Sequence, residues 1–340
     1  MRIVVDVMGG DHGAGVIVEG VRLALQAHAT ISEVYLVGRQ EQIEAALAAH
    51  GKPDPRIRIF HCTEALSMED KPVEALRRKK DCSILRAVDL IKEGRGDALI
   101  SSGNTGGLVA ASTIRLRPLE GVDRPCIATV IPGRGHDYVL LDAGASVECR
   151  PNQLVHFAVM GSIYAREILG HKNPRVGLLS NGAEPNKGTE LTLEAHKLCQ
   201  MVDLNFIGNV EGHDLFSDRM DVVVCDGFVG NIVLKTIESF AKGLFSWIKD
   251  EVTQTPTRKL GAMLVKPGLK TIAQRMDPDN HGGAPLLGLN GTIIKAHGSA
   301  RERAITSAIG QCTKAVQHRL NEIIVREIAA ANDRIAAAKA

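Results

Sequence analysis

Apolar residues along this chain follow two alternating periods. Short β-branched runs are each followed by a longer stretch with helical spacing. Residues 2–7 form the first run, MGGDHGAG follows, and residues 16–27 read as a helix. Residues 34–37, ending at Gly38, and 40–49 repeat the pair, and 57–61 give a third strand. A βαβαβ order implies a parallel sheet with right-handed crossovers. Residues 83–93 predict a helix, because Ile84, Leu85, Val88 and Ile91 share one helical face and Asp81 can cap it. Residues 127–131, 138–141, 176–179 and 204–207 read as further strands. Residues 151–169, opened by Pro151, and 191–201 read as helices. A last strand at 292–295 precedes one closing amphipathic helix from Arg301 to about Lys339. The fold class expected is α/β: a three-layer, Rossmann-like, mostly parallel sheet with helices on both faces.

One pattern occurs twice in this order. Residues 97–107, DALISSGNTGG, read as a buried strand, a glycine loop and the start of a helix; residues 221–231, DVVVCDGFVGN, repeat it without a gap. Asp97 matches Asp221, Ser102 matches Asp226, Gly103 matches Gly227 and Gly106 matches Gly230. A strand, G-x-x-G and a helix place unpaired N–H groups at a helix N-terminus, where an anion is held. The plainer reading is that these glycines make tight turns. Other glycine-rich loops follow strands at 8–15, 142–146, 180–188 and 282–291. Loops at the carboxyl ends of parallel strands gather on one edge, so all are expected to share one cleft.

Residues 253–277 differ in character. Leu260, Met263, Leu264, Leu269 and Ile272 are interleaved with Arg258, Lys259, Lys266, Lys270 and Arg275, and Pro267 is expected to split the segment into two short helices. Such a protruding basic, apolar hairpin can lie on an anionic membrane surface, pack in a dimer, or dock an acidic protein.

Composition narrows the chemistry. The chain has 340 residues, 44% hydrophobic and 24% charged, which fits a soluble globular protein. Aromatics are 3% and the formal net charge is +2, so neither a stacking platform nor a duplex-binding surface is expected, and no nucleic-acid partner. Seven scattered cysteines without a C-x-x-C pair argue against disulfides or structural zinc. The first strand reaches Asp6 too soon for a signal-peptide apolar region, and a cytosolic location fits. The P-loop, the dinucleotide fingerprint after the first strand, the G-x-S-x-G elbow and H-E-x-x-H do not occur in the sequence.

The candidate residues are therefore loop glycines, cations and strand-end polar groups. Gly103, Thr105, Gly227 and Gly230 are candidates for phosphate, with Lys79 or Lys80 from the four-cation run 77–80. Lys235, one turn into the helix after DGFVGN, can reach back to that loop; Asn104, Asn231 and Asp226 are candidates beside it. Asp6, Gly9, Gly10, Asp11, His12, Asp142, Lys187 and His297 are expected to line the same cleft. Capping is the commoner use of such strand-end carboxylates, and a solvated face the commoner use of a charge run. Cys82 and Cys225 read as core residues.

VDVMGGDHG, PVEALRRKK, SSGNTGGL, LLDAGA, RVGLLSNG, NFIGNVEG, VVVCDGFVGNIVLKT, GGAPLLG and IKAHGS occur in one order. Together they resemble, over nearly the whole chain, the phosphate acyltransferases of the PlsX type. Departures are small: Val7 and Ala14 stand where alanine and proline are usual, and SSGNTGG replaces SAGNTGA. The resemblance implies a fold like isocitrate and isopropylmalate dehydrogenases. It implies a single catalytic unit over residues 1–335, with two lobes around one cleft, and a homodimer. It implies conversion of acyl-[acyl-carrier protein] and orthophosphate to acyl phosphate, without a cofactor or metal, for phospholipid biosynthesis. The product feeds a glycerol-3-phosphate acyltransferase at the inner face of the cell membrane, where the hairpin attaches peripherally. Carrier protein is acidic, so Arg77, Arg78, Arg258, Lys259 and Lys266, with Leu260, Met263 and Leu264, are docking candidates. Two enzymes remain as alternatives, an acyl-CoA phosphotransacylase and an NAD-dependent dehydrogenase of similar fold; a non-catalytic membrane scaffold is a third.

Overall fold

The β-branched runs assemble into two sheets. A computed structural model describes residues 1–277 and 282–339. Among these, the first sheet has the order β3 (Ile57–His61), β2 (Glu33–Gly38), β1 (Arg2–Asp6), β4 (Ala98–Ser101), β12 (Thr292–Lys295), β11 (Ala284–Leu287), β5 (Cys126–Ile127). Its strands from β3 to β12 are parallel, and β11 is antiparallel to both neighbours. The second sheet has the order β6 (Thr129–Pro132), β7 (Asp137–Leu141), β10 (Val222–Val224), β8 (Arg175–Leu179), β9 (Asn205–Val210). Only β6 runs antiparallel there.

The expected single strand over 127–131 is thus two strands in two sheets. The chain crosses between them at Ala128, whose N–H donates to the Pro285 carbonyl at 3.0 Å. That crossing joins the two sheets.

Helices cover both faces of each sheet, which accounts for the near-continuous apolar strands. α1 (Gly13–Ala27) and α10 (Glu302–Gln317) bury Val21, Ala24, Ile305 and Ile309 on one face of the first sheet. α4 (Ser83–Lys92) and α5 (Thr105–Leu116) bury Ile84, Val88 and Leu108 on the other. On the second sheet α6 (Pro151–Glu167) is buried along most of its length, packed with α7 (Glu190–Cys199) and α11 (Leu320–Lys339). The opposite face meets Val233, Leu234 and Ile237 of α8 (Gly227–Val252).

Several local expectations change. The closing helix breaks between α10 and α11, where Arg319 takes φ 52, a left-handed conformation that ends a helix. Asp81 does not cap α4. Its carboxylate accepts from the Thr63 N–H and hydroxyl and from Arg86 instead, which holds its pKa down at about 2. The basic run 71–80 forms a short helix, α3 (Pro72–Arg78). Residues expected as a loop after 281 contain β11; His281 lies outside the described residues.

Pro267 does not split its segment. α9 (Pro256–Arg275) is one helix, and the hairpin is made by α8 and α9, with the turn at 253–255. The missing N–H of Pro267 leaves the Met263 carbonyl one turn back without its helical donor. Met263 is 70% exposed, so water can serve that carbonyl and the helix continues. Among the described residues, no helix is long and apolar enough to cross a membrane.

Candidate active site

Three strand ends in the first sheet bring polar groups into register. Asp6 on β1 pairs with Ser101 on β4, and Ser101 pairs with Lys295 on β12. The Ser101 hydroxyl donates to Asp6 Oδ2 at 2.7 Å, and the Met8 N–H donates to Oδ1 at 3.1 Å. Burial raises the Asp6 pKa, against these hydrogen bonds and the nearby Lys295 charge. Lys295 is the reverse case. Burial lowers its pKa to about 8, opposed by Asp6 and Asp11. Its ammonium also donates to the Ala296 carbonyl. The loops after β1 and β4 touch directly: a Cβ on Gly9 would lie 2.3 Å from the Gly103 nitrogen.

In the second sheet Asp142, at the end of β7, organises the loop that faces this cluster. Its Oδ1 accepts from the N–H groups of Ile127, Gly144 and Ala145 at 2.8–3.2 Å. Oδ2 accepts from the Ser146 N–H at 2.6 Å. α8 seats on the loop through its glycines, since a Cβ on Gly230 would lie 1.9 Å from the Asp142 carbonyl oxygen. Gly144, at φ 129, lies against Asn231.

Between these parts lies a cavity of about 370 Å³. Thr105, Gly106, Lys295 and His297 line it from the side of the first sheet, and Gly144, Asn231, Lys235 and Glu238 from the side of the second. Thr105 and Gly106 open α5, so the helix leaves their N–H groups without an acceptor, and both residues are exposed. His297 Nδ1 lies 2.8 Å from the Ser299 hydroxyl. Two lysines, a helix N-terminus and an asparagine amide around one small space suit a multiply charged oxyanion.

The expected site residues divide clearly. Thr105, Asn231, Lys235 and His297 come together in the cavity. Asn104 does not join them: it caps α5, accepting from the Gly107 N–H, while its amide donates to the carbonyls of Ser67, Met68 and Asp70. Asp226 caps α8 by accepting from Phe228 and Val229. That fills the amides expected to bind an anion there. The Gly103, Gly227 and Gly230 N–H groups bond to Ser101, Ser146 and Asp226. These glycines serve close packing, and so do Gly9 and Gly10.

The charge run stands apart from the cavity. Lys79 donates to Asp70 at 2.6 Å and to the Ala65 carbonyl, while Lys80, Arg77 and Arg78 lie at the exposed end of α3. Lys187 is exposed in the loop after β8, and His12 is exposed before α1; neither lines the cavity. Asp11 acts on Lys295 only through its charge. Cys82 and Cys225 are buried with raised pKa values, which suits core residues.

Lys295, Ser101 and Glu238 went unanticipated. The signal for Lys295 was a cation closing a β-branched strand just before His297-Gly298-Ser299.

A family model described as "fatty acid synthesis protein" matches residues 1–323. A phosphate acyltransferase of Desulfitobacterium hafniense is 49% identical over 329 residues, covering 96% of this chain and 98% of that protein. A phosphate acyltransferase of Alkaliphilus oremlandii is 44% identical over 333 residues, covering 98% and 99%. Among solved structures, a phosphotransacetylase from Streptococcus pyogenes matches with a TM-score of 0.60 at 17% identity, over 94% of both chains. A branched-chain phosphotransacylase from Enterococcus faecalis matches with a TM-score of 0.59 at 15% identity, over 94% of this chain and 100% of that one. These two share the α/β fold, with helices on both sides of mostly parallel sheets.

Proposed function

This chain belongs to the phosphate acyltransferase family, and we propose from that premise that its cavity makes acyl phosphate from orthophosphate and acyl-[acyl-carrier protein]. The observation that carries the reading is the meeting of Lys235, Lys295, Asn231 and the open amides of Thr105 and Gly106 around one cavity.

Phosphate is already a nucleophile, so no serine or cysteine has to be activated. Lys235, Asn231 and the α5 amides hold it. Placing it beside the thioester carbonyl supplies the proximity term, which is large in bimolecular reactions. A phosphate oxygen attacks the carbonyl carbon, and the developing oxyanion faces the Lys295 ammonium. Collapse breaks the C–S bond, and the thiolate takes up a proton as free carrier. A thiol pKa of roughly 8.5 makes it a fair leaving group. Of the two glycine loops, the one before α5 is the phosphate loop, because the other has its amides filled.

Residues 1–335 act as one catalytic unit with two lobes around this cleft. Exposed Phe228, Ile232, Phe240, Leu244 and Trp247 recur at intervals of one or two turns on α8, and we assign them to a homodimer contact. Leu260, Met263 and Leu264 on α9, exposed beside Lys259 and Lys266, suit an anionic membrane surface. That placement would deliver acyl phosphate to a membrane glycerol-3-phosphate acyltransferase. Arg77 and Arg78 are left for acidic carrier protein.

The test is phosphorolysis by purified protein, with palmitoyl-carrier protein and acetyl-CoA offered separately. Acyl phosphate from the carrier substrate is the expected product; formation only from acetyl-CoA would reassign the enzyme to acyl-CoA phosphotransacylases. Lys235→Ala is expected to raise the KM for phosphate roughly tenfold, one charge-assisted hydrogen bond on an exposed side chain. An unchanged KM would remove Lys235 from the phosphate site.

A further inference from the structure

A second cavity, of about 660 Å³, lies between β6 and the α8–α9 hairpin. It shares Thr129, Val130, Leu234, Glu238 and His297 with the polar cavity, so the two adjoin. We propose that this groove holds the acyl chain of the thioester, with the reacting carbonyl at its Lys295 end. The proposal rests on the phosphorolysis reading and names the part of the substrate that reading leaves unplaced.

The two cavities differ in chemistry. Ile131 and Pro132 of β6 form one wall of the groove, and Ile237, Ala241 and Phe245 of α8 another; Ala273 of α9 and Met276 just after it face them. Leu234, Ile237, Ala241 and Phe245 follow helical spacing, so one face of α8 is apolar along the groove. At 1.5 Å per residue, Leu234 to Phe245 spans roughly 16 Å, which suits a long chain rather than an acetyl group. Lys242, Lys270 and Arg301 are exposed at its edge; Glu238, where the two cavities meet, and Asp277, past the end of α9, are the half-buried charges in its lining.

Two other occupants fit less well. The carrier's prosthetic arm contains amides and hydroxyls, each of which costs free energy to bury without a partner. An alkyl chain needs none, and it gains by leaving water at every methylene. A second copy of the chain is better matched to the outward stripe of Phe240 and Trp247, which does not line the groove.

Ala241→Trp places a large ring across the groove midway along α8. The experiment compares butyryl- and palmitoyl-carrier protein with wild type and variant, reading acyl phosphate formed. The kcat/KM for palmitoyl substrate is expected to fall roughly ten- to a hundredfold, while that for butyryl stays within about twofold. Retained butyryl activity also shows that the variant is folded. Phe245→Ala, at the far end, is expected to raise activity on stearoyl- relative to palmitoyl-carrier protein. Equal losses on both chain lengths with Ala241→Trp would place the carrier's arm in the groove and overturn the proposal. No change on either would overturn it too. If wild type forms no acyl phosphate from either substrate, the phosphorolysis reading fails and the groove's occupant falls with it.

Discussion

Asp142→Ala is expected to lower the melting temperature by about 6 °C and to leave much of the protein insoluble on expression, through a loss of roughly 4 kcal/mol. The carboxylate is fully buried and accepts four backbone N–H groups, from Ile127, Gly144, Ala145 and Ser146. Alanine leaves four donors without acceptors, each costing about 1–3 kcal/mol where water does not reach. The loss reaches both sheets. The Ile127 N–H belongs to the first sheet, and α8 rests on the Asp142 carbonyl through Gly230. Asp142→Asn keeps Oδ1 and its three donors but turns an NH₂ toward the Ser146 N–H, so about half the loss is expected. Thermal melts followed by circular dichroism would check the order wild type, Asn, Ala. An alanine variant melting within a degree or so of wild type would show that the loop holds its shape without this residue.

Asp142 also shows where sequence reasoning stops. A strand-end aspartate beside Ala143-Gly144 was visible, and so was its tendency to bond local amides. The Ile127 donor was not, because it comes from another sheet. The split into two sheets was illegible for a related reason. Cys126 to Pro132 is one apolar run, and nothing in its alternation says that pairing partners change at Ala128. The α/β class and the strand–helix alternation were legible, since buried parallel strands and amphipathic helices carry different periods.

The repeated glycine pattern is instructive in another way. The two copies align in sequence without a gap, yet their helices start two residues apart. Asn104 caps α5, whereas Asp226, aligned with Ser102, caps α8. Gly103 therefore lies in the turn before its helix, while Gly227 is the first residue of its own. The offset leaves Thr105 and Gly106 facing the cavity and closes the equivalent edge of α8 against the Asp142 loop. Composition could not separate these outcomes, because glycine serves open amides and close packing equally well.

Lys295→Met is expected to lower kcat/KM for phosphorolysis roughly 10²–10³-fold, the usual effect of removing a donor that meets a developing oxyanion. The sequence marks Lys295 only as a cation closing a β-branched strand, because its neighbours Asp6 and Ser101 arrive from strands distant in sequence. Its pH behaviour separates a role at the reacting carbon from a merely structural one. Burial lowers its pKa from 10.5 to about 8. Between those values the unfolded chain binds more protons than the folded one, so this lysine's contribution to stability rises with pH across that window. Activity moves the opposite way. The ammonium is lost above about 8, so wild-type kcat/KM is expected to fall on the basic side of that value. Lys295→Arg keeps a charge that does not titrate in this range, and its profile is expected to stay flat through pH 9 at reduced activity. Lys295→Met is expected to be slow and equally flat, with an unchanged far-ultraviolet circular dichroism spectrum. The measurement is kcat/KM for palmitoyl-carrier protein at saturating phosphate from pH 6 to pH 10 for all three proteins. A basic limb that survives in the methionine variant belongs to another group, and Lys295 would then be a packing residue beside the site.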